Sequence, residues 1–423
     1  MAAFEELLKE FPPGSRDKVK QAWNALPESI RDELEALIKL VPIQPQLLRR
    51  LIDISLRQFK TVAGKRRKIV IVGPANVGKS TLYNQLIRSK ADRADVGPLP
   101  GTTRANQEAD AGFFSLVDTP GADAIGEVGE AEKKLAFSAV RQADFLIVVF
   151  DAIQGIKKTE EELYEELTAI EKPFLVVLNK IDLVKRASQR VIEKVADSLR
   201  LGPDQIVPTN ARDGYNIERV VIAIAKTDPE IVAALGKALP EFRWQLAWLT
   251  ISGAAVTTGL VGATPLPIID FAPLIVIQSS MVLSIARIYD YEITLERAKE
   301  LIATFGMGFL GRTLFQQLSK LGGLPGDVLA GAIAASTTAI MGYAAIVWFE
   351  KGERLTSESL QKLTRELTDN LLRAFRGHRK MGKANLRQVI QTALENSPIA
   401  RNRAQLDQAV QTEPEAPERT PSE

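Results

Sequence analysis

The sequence predicts an α/β domain with a mostly parallel sheet, preceded by an α-helical region and followed by a hydrophobic α-helical domain. Three observations support this prediction. Short apolar runs alternate with segments of helical periodicity in the first half of the chain. Prolines cut the residues before these runs into short amphipathic pieces. Long uncharged stretches dominate the chain after Pro240.

The composition excludes several classes of chemistry. The 423 residues exceed a typical single domain, so more than one folding unit is expected. The chain has no cysteine, which excludes disulfides, thiolate zinc sites and cysteine nucleophiles. Its single histidine, His378, argues against histidine-dependent acid–base catalysis. The formal net charge of +2 gives no bulk electrostatic reason to expect nucleic acid as the main partner.

Residues 1–65 read as short helices interrupted by prolines. One apolar stripe at helical spacing comprises Phe4, Leu7, Leu8 and Phe11. We expect this stripe to pack on the chain's own domain, with a membrane or a partner surface as the alternative. Acidic residues stand where a signal peptide carries positive charge, so no cleaved export signal is expected.

Residues 66–229 show the pattern of a sheet covered by helices. Short apolar runs read as buried parallel strands at 68–72, 113–117, 145–150, 174–178 and 205–208. Segments of helical periodicity follow at 79–88, 131–141, 158–170, 189–200 and 216–225. Strands that alternate with helices predict an α/β sheet covered on both faces.

A glycine-rich segment lies between the first predicted strand and the helix that follows it. It reads Gly73-Pro74-Ala75-Asn76-Val77-Gly78-Lys79-Ser80-Thr81. Its glycines allow backbone N–H groups to surround phosphate oxygens, and the helix N-terminus adds positive potential. Lys79 then places a cation on the β- and γ-phosphates, and Ser80 binds Mg²⁺ through its hydroxyl. The segment therefore predicts a phosphate loop.

Two further segments supply groups for the γ-phosphate and the metal. In Gly101-Thr102-Thr103-Arg104, the Thr103 hydroxyl can bind Mg²⁺ and a backbone N–H can meet the γ-phosphate. Asp118-Thr119-Pro120-Gly121 ends a strand, where the carboxylate reaches the metal through water and the Gly121 N–H meets the γ-phosphate. Ser80, Thr103 and Asp118 are thus the predicted Mg²⁺ site. Lys79, Thr103 and Gly121 are candidate catalytic residues.

The segment Asn179-Lys180-Ile181-Asp182 follows another apolar strand and predicts guanine recognition. Guanine presents two adjacent donors, both of which the carboxylate of Asp182 can accept, whereas adenine would leave that charge half satisfied. Lys180 can cover the plane of the base with its aliphatic stem, and Asn179 would brace the loop. The predicted substrate is therefore GTP.

Taken in order, these motifs resemble the translation-factor-related GTPase class and, within it, the Era/TrmE-like family. The resemblance covers roughly residues 66–227 and implies a Ras-like sheet, Mg²⁺-dependent GTP binding and slow hydrolysis coupled to two switch loops. The guanine-supporting loop of the family usually reads Ser-Ala-Lys, and here it is Asn210-Ala211-Arg212. Asn210 and Ala211 are included in the predicted site, and only the Ala211 N–H is carried over to face the guanine oxygen.

Two positions bear on the mechanism of hydrolysis. Ala122 stands where Ras-type enzymes carry a water-positioning glutamine, so that route is missing. Asn76 occupies the position that, in potassium-activated members of the class, gives its side-chain oxygen to K⁺ beside the phosphates. We expect K⁺-stimulated hydrolysis in which Asn76 is catalytic, with a dimer of G domains ordering the loop around the ion. The alternative is that Asn76 is a turn residue.

Three uncharged runs, 244–269, 271–286 and 328–349, dominate the region after Pro240. About 20 apolar residues suffice for a helix to cross a bilayer. Trp244, Trp248 and Trp348 lie near the ends of the runs, as interfacial anchors do. Asp270 would cost about 2.5–3.5 kcal/mol at mid-bilayer, so it is expected at a hairpin tip, at an interface or facing another helix. The preferred prediction is inserted helices, with a buried bundle or a conditionally inserting hairpin as alternatives.

The segment from Pro265 to Pro273, with Gln278, Met281 and residues 285–289, resembles the YcjF-like domain of unknown function. That resemblance implies an α-helical, commonly membrane-associated module. It does not identify a chemical reaction. Beyond it, Leu360, Leu363, Leu367 and Leu371 form one stripe of an amphipathic helix. Its basic residues, between Arg373 and Arg387, are expected to form a solvated face, with anionic lipid or RNA as alternative contacts.

The predicted organisation is a helical region over 1–65, a G domain over 66–229, a hydrophobic helical domain over 236–352, an amphipathic basic helix over 353–396 and a disordered tail over 397–423. We expect a GTP-hydrolysing molecular switch on the cytoplasmic face of a membrane, with GTP, GDP and lipids as partners, or otherwise in the cytoplasm. The alternative is a soluble Era-like GTPase in ribosome maturation or tRNA modification. Residues 308–311 have the spacing of the Gly-x-x-Gly loop with which KH domains bind RNA, but they are apolar and not basic, which disfavours an RNA-binding role. The absence of cysteine disfavours tRNA modification.

Overall fold

The computed structural model describes residues 2–24, 31–32, 35, 52, 68–87, 114–118, 137–263, 272–291, 326–376, 383–401 and 412–414. The chain divides into two compact units. One unit, 64–242, contains the sheet, and the other joins 1–63 to 243–423.

The amino-terminal part contains the helices α1 (Ala2–Leu8) and α2 (Pro13–Asn24). Phe4 stacks on Trp23 with ring centroids 3.9 Å apart, and both side chains are buried. Leu7, Leu8 and Phe11 are buried as well, so the protein itself covers the predicted stripe.

A buried carboxylate, Glu35, holds the start of α1. Its two oxygens accept the backbone N–H groups of Ala3 and Phe4 at 2.8 and 3.2 Å, donors that have no partner within the helix. Burial raises the pKa of Glu35. Hydrogen bonds to its carboxylate, including those from Ala3 and Phe4, have a larger effect in the opposite direction, so the pKa lies below its ordinary value of 4.5. Glu35 is therefore a charged, hydrogen-bonded cap.

In the described part of the chain the main sheet has five parallel strands, as the sequence predicts, and the structure gives their order as β2-β1-β3-β4-β5. Their bounds are β1 (Ile69–Gly73), β2 (Phe114–Asp118), β3 (Phe145–Asp151), β4 (Phe174–Asn179) and β5 (Ile206–Pro208). Every residue of β1 and β3 is buried, because these central strands are covered on both faces. The carboxyl ends of parallel strands meet at one edge, so the polar segments that follow β1, β3, β4 and β5 come together there.

Helices alternate with these strands. They are α3 (Lys79–Leu86), α4 (Lys158–Thr168), α5 (Ser188–Leu199), α6 (Ile217–Thr227) and α7 (Val232–Ala238). Residues 137–142 are also helical, within the segment predicted at 131–141. Short 3-10 turns follow β4 at Ile181–Ala187, precede β5 at Pro203–Gln205, and flank α7 at Pro229–Ile231 and Pro240–Phe242.

The second unit is a helical bundle. Its elements are α8 (Arg243–Gly262), α9 (Ala272–Ile288), α10 (Gly326–Lys351), β6 (Glu353–Leu355), α11 (Ser357–Arg376), α12 (Lys383–Glu395), α13 (Pro398–Arg401) and β7 (Thr412–Pro414). β6 and β7 pair antiparallel. α13 and β7 lie in the segment predicted to be disordered, where β6 provides an edge on which β7 forms hydrogen bonds. Asp270 and His378 lie outside the described residues.

α10 is the central helix of the bundle. Every residue from 331 to 349 is buried, and α8, α9 and α11 pack against it. Among the described residues, Val328–Lys351 is the one helix long and apolar enough to cross a membrane, with a mean hydropathy of 1.6. α11 covers it with an apolar stripe while its other face is charged, and the buried members are Leu360, Leu363, Leu367, Leu371 and Phe375. In this structure other parts of the protein therefore surround residues 331–349 of α10.

The tryptophans predicted as interfacial anchors take part in packing within the bundle. Trp348 is 4% exposed and meets Phe349 edge to face. Trp244 stacks on Trp248 with centroids 5.8 Å apart and meets Tyr343 edge to face. In this conformation Trp348 is enclosed, and only Trp244 and Trp248 are half-exposed.

α8 and α10 approach each other closely because small residues face each other along their contact. A Cβ atom added to Gly331 would lie 2.8 Å from both the Gly259 carbonyl oxygen and the Ala263 Cβ. Such distances leave no room for a side chain without moving backbone. Glycine at 331 therefore sets the separation of the two helices.

Hydrogen bonds also join the buried helices. The Thr258 hydroxyl of α8 donates to Thr338 Oγ1 of α10 at 2.9 Å, and Gln278 Nε2 of α9 donates to the same oxygen at 3.0 Å. Ser336 of α10 and Thr368 of α11 share a hydrogen bond of 2.6 Å. Because unpaired buried polar groups are costly, these pairs favour one register of the four helices.

We predict that Gly331→Ala destabilises the bundle, because the new methyl group displaces α8 from α10. The free energy of unfolding should fall by about 1–3 kcal/mol. Urea titration followed by tryptophan fluorescence measures this change, since all four tryptophans lie in the unit that contains the bundle. The matched control is Gly253→Ala on the exposed face of α8, where an added Cβ meets nothing within 4 Å. It should stabilise by up to about 1 kcal/mol, and equal losses in both variants would contradict the packing argument.

Candidate nucleotide site

The loop between β1 and α3 needs glycine at both ends for different reasons. A Cβ at Gly73 would lie 2.2 Å from the carbonyl oxygen of Val149 in the neighbouring strand. Gly78 has a φ of 95°, and a Cβ there would lie 2.3 Å from Asn179 Nδ2. The first glycine lets the loop leave the sheet, and the second lets it touch the segment after β4.

Lys79 is the first residue of α3 and lies buried against the concave side of this loop. Its Nζ donates to the carbonyl oxygens of Gly73 at 2.8 Å and Pro74 at 2.5 Å. The ammonium and the amino-terminal end of α3 therefore both place positive potential at the loop. Ser80 and Thr81 follow in the first turn of the helix and are half-buried.

Asn179, the last residue of β4, connects three segments through a buried amide. Its Nδ2 donates to the Val77 carbonyl in the loop after β1 at 2.9 Å. Its Oδ1 accepts the Thr209 hydroxyl at 3.3 Å and the Ala211 N–H at 2.9 Å. The loops that follow β1 and β5 are thus both fastened to the end of β4.

The loop after β5 is also held by its own side chains. Asn210 Nδ2 donates to Asp213 Oδ2 at 2.7 Å, and Asn210 Oδ1 accepts the Arg212 N–H at 3.1 Å. Asn210 therefore shapes the loop through its side chain. The Ala211 N–H, expected to face a guanine oxygen, donates to Asn179 in this structure, so a guanine oxygen would have to share or replace that acceptor.

Lys180 crosses from β4 to the loop after β1. Its backbone is left-handed, with a φ of 61°, and its Nζ donates to the Asn76 carbonyl at 2.6 Å. The same Nζ forms an ion pair with Asp151 Oδ2 at 2.6 Å. Asp182 lies two residues further on, half-buried in the 3-10 turn.

Asp151 is a residue of this site that the sequence patterns did not single out. It ends β3, is 3% exposed and pairs in register with Asn179. The signal available in the sequence was an acidic residue that closes the apolar run FLIVVF. Recognising its role requires knowing that β3 and β4 are neighbours.

The predicted Mg²⁺ ligands are placed only in part. Ser80 is in the first turn of α3, and the backbone of Asp118 ends β2 directly beside Gly73. Thr103, Gly121 and Ala122, and the side chain of Asp118, lie outside the described residues. A serine hydroxyl and an aspartate carboxylate are oxygen donors of the kind that Mg²⁺ prefers.

Comparison with protein families agrees with this arrangement. Residues 68–180 match the family model described as 50S ribosome-binding GTPase. Those residues are thus similar to Era-like P-loop GTPase domains. Residues 230–396 match the family model described as Domain of unknown function (DUF697), and so α11 and α12 belong with the hydrophobic helices. The sequence predicts 353–396 as a separate amphipathic helix, and the packing of α11 on α10 is an observation that only the structure gives.

Curated relatives match the G domain and its immediate surroundings. GTPase Der from Pelotomaculum thermopropionicum is 35% identical over 154 residues, which are 35% of this chain and 33% of the relative. GTPase Era from Aquifex aeolicus is 33% identical over 174 residues, 38% of this chain and 56% of the relative. The chain thus spans from about a third to just over half of these proteins. A solved structure of Aquifex aeolicus Era with GDP and AlF4⁻ is 26% identical, with a TM-score of 0.33, and covers 45% of this chain and 67% of that chain.

We predict that Gly78→Ala destabilises the G domain by about 2–4 kcal/mol, because it combines a left-handed backbone with a clash against the Asn179 amide. The control is Gly155→Ala, which has a φ of 65° but meets nothing within 4 Å, and it should cost only about 1–2 kcal/mol of backbone strain. Urea unfolding of each variant by circular dichroism gives the difference. Equal losses would mean that contact with Asn179 does not constrain the loop.

Proposed function

We propose that this protein binds GTP, hydrolyses it to GDP and phosphate with Mg²⁺, and acts as a molecular switch whose output is the helical domain. The observation that best supports the proposal is the buried Asn179 amide, which joins the phosphate loop to the guanine loop. The two halves of the nucleotide site are therefore joined through one side chain. The GTPase relatives named above support the same activity.

Each motif has a part in the proposed mechanism. Lys79 exchanges the Gly73 and Pro74 carbonyls for phosphate oxygens, and the N–H groups of the loop and of Gly121 stabilise the charge that develops on the γ-phosphate. Ser80, Thr103 and Asp118 would hold Mg²⁺, which would supply charge neutralisation to the phosphates. Asp182 accepts the two donors of guanine, while the stem of Lys180 covers the base.

We include K⁺ in the proposal because of the conformation and the exposure of Asn76. Its carbonyl is bound by Lys180, its φ is 63°, and its side chain is exposed. The side-chain oxygen is thus presented to solution beside the phosphate loop, where it can bind K⁺. Ala122 stands where Ras-type enzymes carry a glutamine that positions water. Asn76 would instead hold K⁺, which would supply charge stabilisation, with a dimer of G domains ordering the loop around the ion.

GTP hydrolysis by the purified full chain should therefore be faster in KCl than in NaCl at equal ionic strength. Asn76→Gly keeps the left-handed backbone without strain and removes the oxygen, so its rate should be the same in both salts. Lys79→Ala is the inactive control. Equal hydrolysis rates of the wild-type protein in KCl and NaCl would contradict the role of K⁺. A wild-type protein that does not hydrolyse GTP would contradict the proposed activity.

We further propose that the helical domain associates with the cytoplasmic face of a membrane when α11 separates from α10. α10 has the length and apolarity of a membrane span, and the helix that covers it is charged on its outer face. In the sequence, Lys237 and Arg243 flank the start of the α8–α9 pair and Arg287 flanks its end, which would keep both ends of the pair on the cytoplasmic side if it forms a hairpin. Membrane insertion would then exchange protein contacts of α10 for lipid contacts.

A soluble GTPase of ribosome maturation is the second candidate. The complete burial of α10 favours it, since the core helix of a soluble bundle has the same composition as a membrane span. The description of the matching family, a ribosome-binding GTPase, points in the same direction. In this case RNA and ribosomal protein would be the partners, and the bundle would never open.

An engineered disulfide separates these two candidates. The chain has no cysteine, and the hydroxyl oxygens of Ser336 and Thr368 lie 2.6 Å apart, so Ser336→Cys/Thr368→Cys should lock α11 onto α10 when oxidised. We predict that liposomes retain the reduced protein after an alkaline carbonate wash and do not retain the oxidised protein. Thr258→Cys/Thr338→Cys is the matched control, because it locks α8 to α10 and leaves α11 unrestrained.

The outcomes of this experiment are distinct. Retention of the reduced form alone supports opening of α11. Retention of both forms shows that α10 does not need to be uncovered. Release of both forms, with wild type also released, moves the soluble ribosomal candidate to first place.

A further inference from the structure

Asp151 uses both oxygens of a buried carboxylate. Oδ1 accepts the backbone N–H of Ile153 at 2.7 Å and thereby shapes the turn that follows β3. Oδ2 pairs with Lys180 Nζ at 2.6 Å, and that ammonium also donates to the carbonyl oxygen of Asn76 at 2.6 Å. One ammonium therefore joins the ends of β3 and β4 to the phosphate loop.

The ion pair fixes the direction of the Lys180 side chain. A lysine side chain is long and has many rotamers, so an exposed lysine would not hold its stem in one place. Here Lys180 is 31% exposed, and a buried carboxylate holds one end while the left-handed backbone at β4 holds the other. Between these two points the aliphatic stem runs from the end of β4 to the phosphate loop.

We propose that Asp151 is a positioning residue for guanine-nucleotide binding, which holds Lys180 extended so that its stem covers one face of the base. This inference rests on the proposed function, because it deepens the role given there to Lys180. Asp151 acts on the nucleotide through Lys180. The ion pair also ties the guanine side of the site to Asn76 on the phosphate side.

The proposal makes a specific statement about which step changes. Asp151 supports a contact with the base that GTP, GDP and the transition state share, so its loss should weaken binding of all three equally. We expect Asp151→Asn to raise the Kd for GDP and the KM for GTP about tenfold each, as for loss of a charged hydrogen bond, with kcat unchanged. Preference for guanine over xanthine should also be unchanged, because Asp182 reads the edge of the base.

The test is a double-mutant cycle on the full chain, with the Kd for fluorescent GDP as the readout. Asp151→Asn keeps the shape of the side chain and removes its charge, and Lys180→Met keeps the aliphatic stem and removes the ammonium. If Asp151 acts through Lys180, then Asp151→Asn has no further effect on Kd in the Lys180→Met background. An equal loss in both backgrounds, or a wild-type Kd for Asp151→Asn, would overturn the proposal.

Two further variants separate positioning from general stability. Asp144 lies just before β3, at the opposite edge of the sheet, and its Oδ2 accepts the Lys68 N–H at 2.9 Å. Asp144→Asn should lower the melting temperature and leave Kd unchanged. Asp151→Glu retains the charge and should restore a Kd close to wild type. If Asp151→Asn does not fold, comparing the Kd for GDP of Asp151→Glu with that of Asp151→Ser tests the same point.

The failure of this inference is distinguishable from failure of the proposed function. A wild-type protein that binds neither GDP nor GTP overturns the proposed function. A wild-type protein that binds both, with Asp151→Asn binding equally well, overturns only the role of Asp151.

Discussion

The nucleotide site depends on one side-chain amide, that of Asn179. It is buried at the end of β4, so its donor and acceptor must both be paired within the protein. The partners lie on two loops that are far apart in the chain, the phosphate loop and the loop after β5. Because one rigid group satisfies both loops, neither can shift without leaving a buried polar atom unpaired. The close passage of Gly78 over this amide follows from the same constraint.

The two units reach stability by different routes. In the G domain, apolar strands are covered on both faces, and polar groups gather where the strands end. In the bundle, glycine brings α8 and α10 together, and hydroxyl pairs such as Thr258 with Thr338 fix which turns face each other. A bundle built this way suits a protein interior or a membrane, since small residues and hydroxyl pairs serve close helix contact in either medium. The charged outer face of α11 is what suits this conformation to water.

Much of the G domain could be predicted from the sequence, because its strands are short runs rich in Val, Ile, Leu and Phe. The phosphate loop was recognisable because fixed spacing, a preceding strand and a following helix occur together. The pairing of Asp151 with Lys180 was not predictable, since it depends on which strands are neighbours. The environment of α10 was not predictable either, because an apolar run of that length has the same composition in lipid and in protein. The apolar stripe at Leu360 and Leu363 could be predicted from its spacing, but the sequence did not show that this stripe packs on α10.

The burial of α10 has a consequence for how the protein is made. Synthesis proceeds from the amino terminus, so α8, α9 and α10 emerge from the ribosome before α11 does. During that interval the most apolar helix of the chain has no cover, and nascent segments of this kind aggregate or are captured by other factors. The order of the helices along the chain therefore leaves a period during translation in which α10 can meet a targeting factor or a membrane. The final location of the protein can thus be decided by timing during synthesis as well as by the folded bundle.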